Sequence, residues 1–345
     1  MTVLSAPLQT IGSPVLWAIT LAILLVLLAV DFMLTRRPHD VHMKEAVGWT
    51  VFYLALPLAF GLIIWPIYGA TPSIEFFTGY VVEKSLSVDN LFVFMLLLAA
   101  FAVPKELAQR VLLYGIVGAL VLRAIFIAMG AAVLSTGTWA FLLFGGILLL
   151  TAIKVMRDAV KGQDHEVDID SMRSVKFLRR LMPVTTTFHG SKLTIVEHGK
   201  RTLTPMALVV VAVFMTDIVF AVDSVPAVYG VTEDPYIVFA TNAFALLGLR
   251  ALYFVLQNAL SKLRHLNHGL AIILAFIGVK LVLHWAHTVW TWVPDVPTPL
   301  SLAVIILTLV TVTLTSLAAN RRDEAAKSDD GGPSRTSAHV GGAPR

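Results

Sequence analysis

Residues 81–94, VVEKSLSVDNLFVF, and residues 213–227, VFMTDIVFAVDSVPA, each carry two carboxylates six residues apart in an apolar run: Glu83 and Asp89 in the first, Asp217 and Asp223 in the second. An ionised side chain at membrane depth is costly, so it faces a bundle interior or a polar path and marks an ion route by default. Two matching segments of this kind decide how the rest of the chain is read.

The surrounding composition is that of a membrane protein. Hydrophobic residues make up 57% and charged residues 14% of the 345, and mean hydropathy is +0.81, far from a soluble domain. Apolar runs of about 20 residues, the length that crosses a bilayer, recur along almost the whole chain. They predict an all-α, polytopic protein with about nine spans, near residues 13–34, 47–68, 74–100, 107–133, 138–156, 204–230, 236–257, 268–292 and 299–319. The first lacks a basic n-region and a small-residue cleavage site, and reads as a retained span.

Loop charge sets the orientation. Lys and Arg follow the first, third, fifth, seventh and ninth spans, and the other four connections carry none. That alternation places the N-terminus outside and the C-terminus in the cytoplasm. The net charge of +4 thus reflects helix orientation rather than nucleic-acid binding; the lipid bilayer is the partner it implies. Residues 157–203 are expected to form a basic cytoplasmic loop, with a small hairpin in KLTIVEHGKRTLT. Residues 320–345, rich in Gly, Ser, Pro and charge, are expected to be a disordered tail.

The chain also repeats itself. The third span is followed by one carrying Arg123 in LVLRAIF, the sixth by one carrying Arg250 in LGLRALYF, and each unit closes on a Gly-containing helix, FGGILLL and FIGVKLVL. The domain reading is therefore membrane helices 1–5 in 1–156, with a first repeat unit at 74–156, and helices 6–9 in 204–319, with a second unit at 204–292. Three spans is an odd number, so the second unit is inverted relative to the first. Inverted repeats place substrate sites near the midplane between the copies. At 1.5 Å per residue, Glu83 lies about 14 Å and Asp217 about 20 Å into their helices, both near the middle of a hydrocarbon core about 30 Å thick.

Six residues turn an ideal helix through about 600°, which leaves the paired carboxylates about 120° apart. Local unwinding is the expected remedy, at Pro226 in one copy and around Ser85, Ser87 and Asn90 in the other. The candidate metal ligands are Glu83, Asp89, Asn90, Asp217, Asp223 and Ser224. Oxygen donors of this kind suit Mn²⁺, Mg²⁺ or Ca²⁺ and suit Cu⁺ poorly. Arg123, Arg250 and Lys280 are the candidate charge partners. The plainer alternative is that these bases neutralise the acids as structural ion pairs and nothing moves.

Other features carry less. Lys280, His284 and His287 share a helix face at i, i+4 and i+7, but Trp285, Trp290 and Trp292 beside the histidines favour an interfacial belt. The acidic stretch HEVDID at 165–170 reads as a solvated loop face. The chain has no cysteine, so thiol chemistry, disulfides and thiolate metal sites are excluded. No nucleophile triad, phosphate loop or dinucleotide fingerprint occurs, so no enzyme and no cofactor is expected.

The two acidic motifs, with MPVTTTFHG at 182–190 and HGKRTLTP at 198–205, resemble those of the TerC/Alx family of integral membrane proteins, over about Trp49 to Ala319. The matching motif residues are Glu83, Asp89, Asn90, Asp217, Asp223 and Ser224. The segment VTTTFHG departs from the family where an acidic residue is expected after VT. The resemblance implies a multi-pass protein of the bacterial inner membrane, connected by name with tellurium resistance and for several members with manganese export. Two functions stay open: a secondary transporter that exports Mn²⁺ in exchange for protons, and a non-transporting membrane scaffold in metal or tellurite stress.

Overall fold

The computed structural model describes residues 10–34, 43–161, 175, 180, 183–185, 187–197, 200–249, 252–253, 266–290 and 292–330. Nine helices occur among them: α1 (Pro14–Leu34), α2 (Met43–Tyr68), α3 (Ala70–Ala100), α4 (Lys105–Leu134), α5 (Trp139–Lys161), α6 (Pro205–Tyr229), α7 (Pro235–Leu247), α8 (Leu266–Val289) and α9 (Thr298–Asp330). Seven are long and apolar enough to cross a membrane. The other two are α3, which is long but interrupted by charge, and the thirteen-residue α7. In hydrocarbon every backbone N–H and C=O needs a partner within its own segment, and the helix provides this.

The connections are short. Gly69, at φ +96°, is the single residue between α2 and α3; the reversal there demands a left-handed conformation that glycine adopts freely. Between α6 and α7, Asp234 caps α7 by accepting from Tyr236 N (2.8 Å), and it also accepts from Thr10 Oγ1 (2.6 Å) and Ile11 N (2.7 Å), which ties the start of the described chain to this end of the bundle.

Packing sorts the helices by exposure. All residues of α7 from Tyr236 to Leu247 are buried, whereas α1, α2 and α9 turn many large apolar side chains outward, as a lipid-facing layer does. α3 packs against α2, α6 and α7, α4 against α6 and α7, and α5 along α8. Lipid tails are as apolar as leucine, so close backbone approach rather than burial drives such contacts. The α5–α8 crossing depends on it: a Cβ at Gly145 would lie 2.9 Å from Gly278 O, and one at Gly278 would lie 3.1 Å from Gly145 O.

Between α5 and α6, strands β1 (Thr194–Glu197) and β2 (Lys200–Leu203) pair antiparallel, Thr194 opposite Leu203 and Glu197 opposite Lys200. Val184 bridges to Leu203, and Thr204 Oγ1 donates to Lys192 O (2.6 Å) just before α6 begins.

Two expectations change. α3 and α6 run without a break through the acidic motifs, Pro226 included, so the motifs are not unwound. Of the side chains that were to compete with the backbone, Ser85 instead bonds back along its own helix to Val82 O (2.7 Å), as Thr78 does to Ile74 O (2.7 Å) and Thr216 to Ala212 O (2.8 Å). The helical end of the chain also reaches further than expected. α9 continues through Asp330, because AANRRDEAAK at 318–327 consists largely of good helix formers. Of the expected seventh span, 236–257, α7 covers the part to Leu247, and residues 250–251 and 254–257 lie outside the described residues.

Candidate functional site

The candidate site is assembled around one guanidinium. Arg123, on α4, is 1% exposed and is the largest fully buried side chain of the described structure. Its Nη1 donates to Glu83 Oε1 of α3 and to Asn242 Oδ1 of α7 at 2.7 Å, and its Nη2 lies 3.5 Å from Asp217 Oδ1 of α6. With the Asn90 amide oriented to donate to Leu86 O (3.1 Å), its oxygen accepts from Arg123 Nη2 at 3.2 Å. Asn242 is itself held by a bond from its Nδ2 to Val238 O (2.9 Å). Four helices therefore meet at one side chain whose planar fork can serve several acceptors at once.

Both carboxylates are as deeply buried as their partner, Glu83 at 0% and Asp217 at 1%. Neither is saturated. Glu83 Oε2 and both Asp217 oxygens make no hydrogen bond among the described residues, and neither do Ser87 Oγ and Ser224 Oγ. The 3.5 Å approach of Arg123 to Asp217 is thus a charge contact without hydrogen-bond geometry. Ser87 lies one turn from Glu83 and Ser224 two turns from Asp217, so each orphan hydroxyl shares a helix face with its carboxylate. The donor set is oxygen throughout, which matches a hard cation and offers little to a soft one. Among the described residues no three acidic or histidine side chains stand close enough to form a closed metal shell.

The other sequence candidates are placed as follows. Asp223, half-buried, is within electrostatic reach of Glu83 and Arg123. Asp89 is on α3 beyond Glu83, its side chain outside the described residues, as is Arg250. Lys280 was grouped with the central acids and is not among them. It lines a cavity of about 790 Å³ at one end of the bundle, together with Glu75, Glu233, His284 and Asp295. Its place on α8 turns it toward that cavity rather than toward Arg123. His284 is 3.2 Å from Asp295 Oδ1 and 3.5 Å from Glu233 Oε1. Lys84 donates to Ala245 O (3.2 Å).

Two buried groups escaped the sequence reading. Asn242 is the one amide in the apolar run FATNAFALL, and Asp31, 1% exposed, is the one acid in the first span and accepts from Tyr53 Oη (2.8 Å). The rule that singled out the acidic motifs, a polar side chain at membrane depth, flags both.

A multi-pass helical membrane protein with a sealed, charge-paired cluster between two acidic helices is the class that this fold and site define. Residues 68–324 match the integral membrane protein TerC family, and the chain belongs to that family. It is 41% identical over 275 residues to an uncharacterized membrane protein of Myxococcus xanthus, STKORF319, covering 79% of this chain and 85% of that one. It is 38% identical over 285 residues to Alx of Escherichia coli strain K12, whose name describes a proposed membrane-bound redox modulator, covering 80% of this chain and 88% of that one. An uncharacterized membrane protein of Mycobacterium tuberculosis, MT2795, is 39% identical over 278 residues, covering 80% and 70%. No solved structure matches the chain.

Proposed function

We propose that this protein is a secondary transporter, not an enzyme, that exports a hard divalent cation, Mn²⁺ first, from the cytoplasm across the bacterial inner membrane through the Glu83–Asp217 site. The observation that carries the reading is the sharing of one buried guanidinium by carboxylates of both acidic motifs. Two carboxylates against one guanidinium leave negative charge in a medium that does not tolerate it, and a cation or a proton supplies the balance. In this reading the cation competes with Arg123 for the carboxylate oxygens, with Ser87, Asn90 and Ser224 as neutral donors and Asp89 and Asp223 flanking the path. Protons take the cation's place on the return.

The packing supports two related units. Exchanging α3, α4 and α5 for α6, α7 and α8 turns the α3–α7 contact into the α6–α4 contact and leaves the α5–α8, α4–α7 and α3–α6 contacts as they are. Loop charge supports an outside N-terminus and a cytoplasmic C-terminus. Without cysteine the chain has no thiol couple of its own, so a redox role like that in Alx's name would act through what the protein moves.

A second reading keeps a specific observation in its favour: the acids are already paired, and no closed metal shell stands among the described residues. On that reading the cluster is structural, and the protein is a membrane scaffold in metal or tellurite stress. Mn²⁺ uptake into inverted membrane vesicles under an imposed pH gradient separates the two, comparing the intact chain with Asp223→Asn at equal expression. Uptake lost in the variant is the result expected of a carboxylate-dependent exporter. Equal uptake, or none in the intact chain, overturns the transport reading, and an unchanged lumenal pH during uptake overturns proton exchange.

A further inference from the structure

The cavity of about 790 Å³ lies between the start of α3, the α6–α7 turn and the far half of α8. Four carboxylates line it, Glu75, Glu233, Asp234 and Asp295, and they are not equivalent. Asp234 is fully engaged in capping α7 and holding residues 10 and 11. Glu75 accepts from Thr232 Oγ1 (2.6 Å) through Oε2, which leaves Oε1. Asp295 uses Oδ1 for Val296 N (2.9 Å) and His284, which leaves Oδ2.

Lys280 is the unusual group here. It is 7% exposed, lines the cavity, and makes no hydrogen bond or ion pair among the described residues. Asp295 and Glu75 are the carboxylates that act on it electrostatically. An ammonium that faces the cavity without a fixed partner, on a flexible stem, is a mobile point charge. An anionic guest is disfavoured, because Glu75, Glu233 and Asp295 face the same space. What the arrangement resembles is a cation site with its own displacing cation attached.

We propose that this cavity is a second cation station, at which Glu75 Oε1 and Asp295 Oδ2 hold a hard divalent cation and the Lys280 ammonium displaces it. The inference rests on the transport reading and on the orientation argued above, which together make this the outward, release end of the path. A carboxylate pair that binds a divalent ion well releases it slowly; a tethered ammonium that neutralises the pair as the ion leaves removes that penalty. Lys280 is then a positioning and release residue, and Glu75 and Asp295 are the ligands.

The test uses the full chain in inverted membrane vesicles, where the cavity faces the lumen. Uptake of radioactive Mn²⁺ is measured against increasing unlabelled Mn²⁺ in the lumen. In Lys280→Gln the lumenal concentration that halves uptake should fall about tenfold, the size of one partly screened charge interaction. In Glu75→Gln/Lys280→Gln it should return toward the wild-type value, which a merely damaged helix would not do. If the single variant carries nothing, equilibrium Mn²⁺ binding to the purified full chain replaces the uptake readout, and tighter binding than wild type is the expected result. Unchanged inhibition, or unchanged binding, in Lys280→Gln overturns the second station and leaves the transport reading intact. Absence of Mn²⁺ uptake in the wild type overturns both, and it is seen before any variant is compared.

Discussion

Arg123 on α4 and Glu83 on α3 are hydrogen-bonded ion partners, and neither side chain is more than 1% exposed. Breaking a buried pair by removing one partner leaves a charge without compensation, at a cost of about 3–5 kcal/mol. Arg123→Met should therefore lower the thermal midpoint of the purified protein sharply, because it strands both Glu83 and Asp217. Adding Glu83→Gln and Asp217→Asn to Arg123→Met should recover much of the loss. A triple variant no more stable than the single one would mean that Arg123 stabilises the bundle through packing alone.

Asn242 tests the neutral part of the cluster. It accepts from Arg123 at 2.7 Å and donates to Val238 O at 2.9 Å, so Asn242→Leu keeps the approximate volume and deletes an acceptor. A buried donor left unsatisfied costs about 1–3 kcal/mol. The variant should melt earlier than wild type, and Asn242→Gln should not restore it, since the longer side chain moves the amide out of register. Thermal denaturation followed by circular dichroism decides this.

The centre of this cluster was legible from residue types alone, since Glu83, Asp217 and Arg123 are ionised groups in apolar helices and few physical explanations fit such groups. Its membership was less legible. Arg123 and Lys280 are both lone bases in apolar helices, yet the rotation of α8 sends Lys280 into the end cavity, and periodicity does not tell which neighbour a helix face meets. Asn242 carries no charge and passed as an ordinary helical residue. The nine helices were readable because length and hydropathy are one-dimensional quantities. The continuity of α3 and α6 was not: whether a serine competes with its backbone or bonds back to it depends on what surrounds the helix.

The α5–α8 crossing gives a matched pair of substitutions. A Cβ at Gly145 meets Gly278 O at 2.9 Å and Val282 Cγ2 at 2.9 Å, whereas at Gly146, one residue on, nothing lies within 4 Å. Gly145→Ala should destabilise by about 1–3 kcal/mol through forced separation of the two backbones. Gly146→Ala should be neutral or stabilising by up to about 1 kcal/mol through the helical preference of alanine. Equal melting temperatures for the two variants would show that the crossing yields without cost.

Orientation can be read without background, because the chain contains no cysteine. Thr136, exposed in the α4–α5 turn, is on the outside in the proposed topology, and Val196, 71% exposed on β1, is in the cytoplasm. Thr136→Cys should react with a membrane-impermeant maleimide in intact cells. Val196→Cys should react only after the membrane is opened or inverted. The reverse pattern would invert the topology and place the end cavity on the cytoplasmic side.

Asp217→Asn separates function from stability most cleanly. Within the cluster, Glu83 and Asp217 oppose a single guanidinium, and both Asp217 oxygens lack hydrogen bonds among the described residues. Replacing that carboxylate by an amide leaves Glu83 and Arg123 as a balanced pair and removes one desolvated charge. The bundle itself should gain from the change or be indifferent to it, with the thermal midpoint equal to or above that of wild type. A cation site should lose its function, because the residual negative charge that calls for Mn²⁺ or a proton is gone. The expected outcome is a variant that folds at least as stably as wild type and takes up no Mn²⁺ into inverted vesicles, the trade between stability and activity that a functional site shows. A variant that melts several degrees earlier and still transports at the wild-type rate would mean that Asp217 holds the helices together and that the cation passes elsewhere.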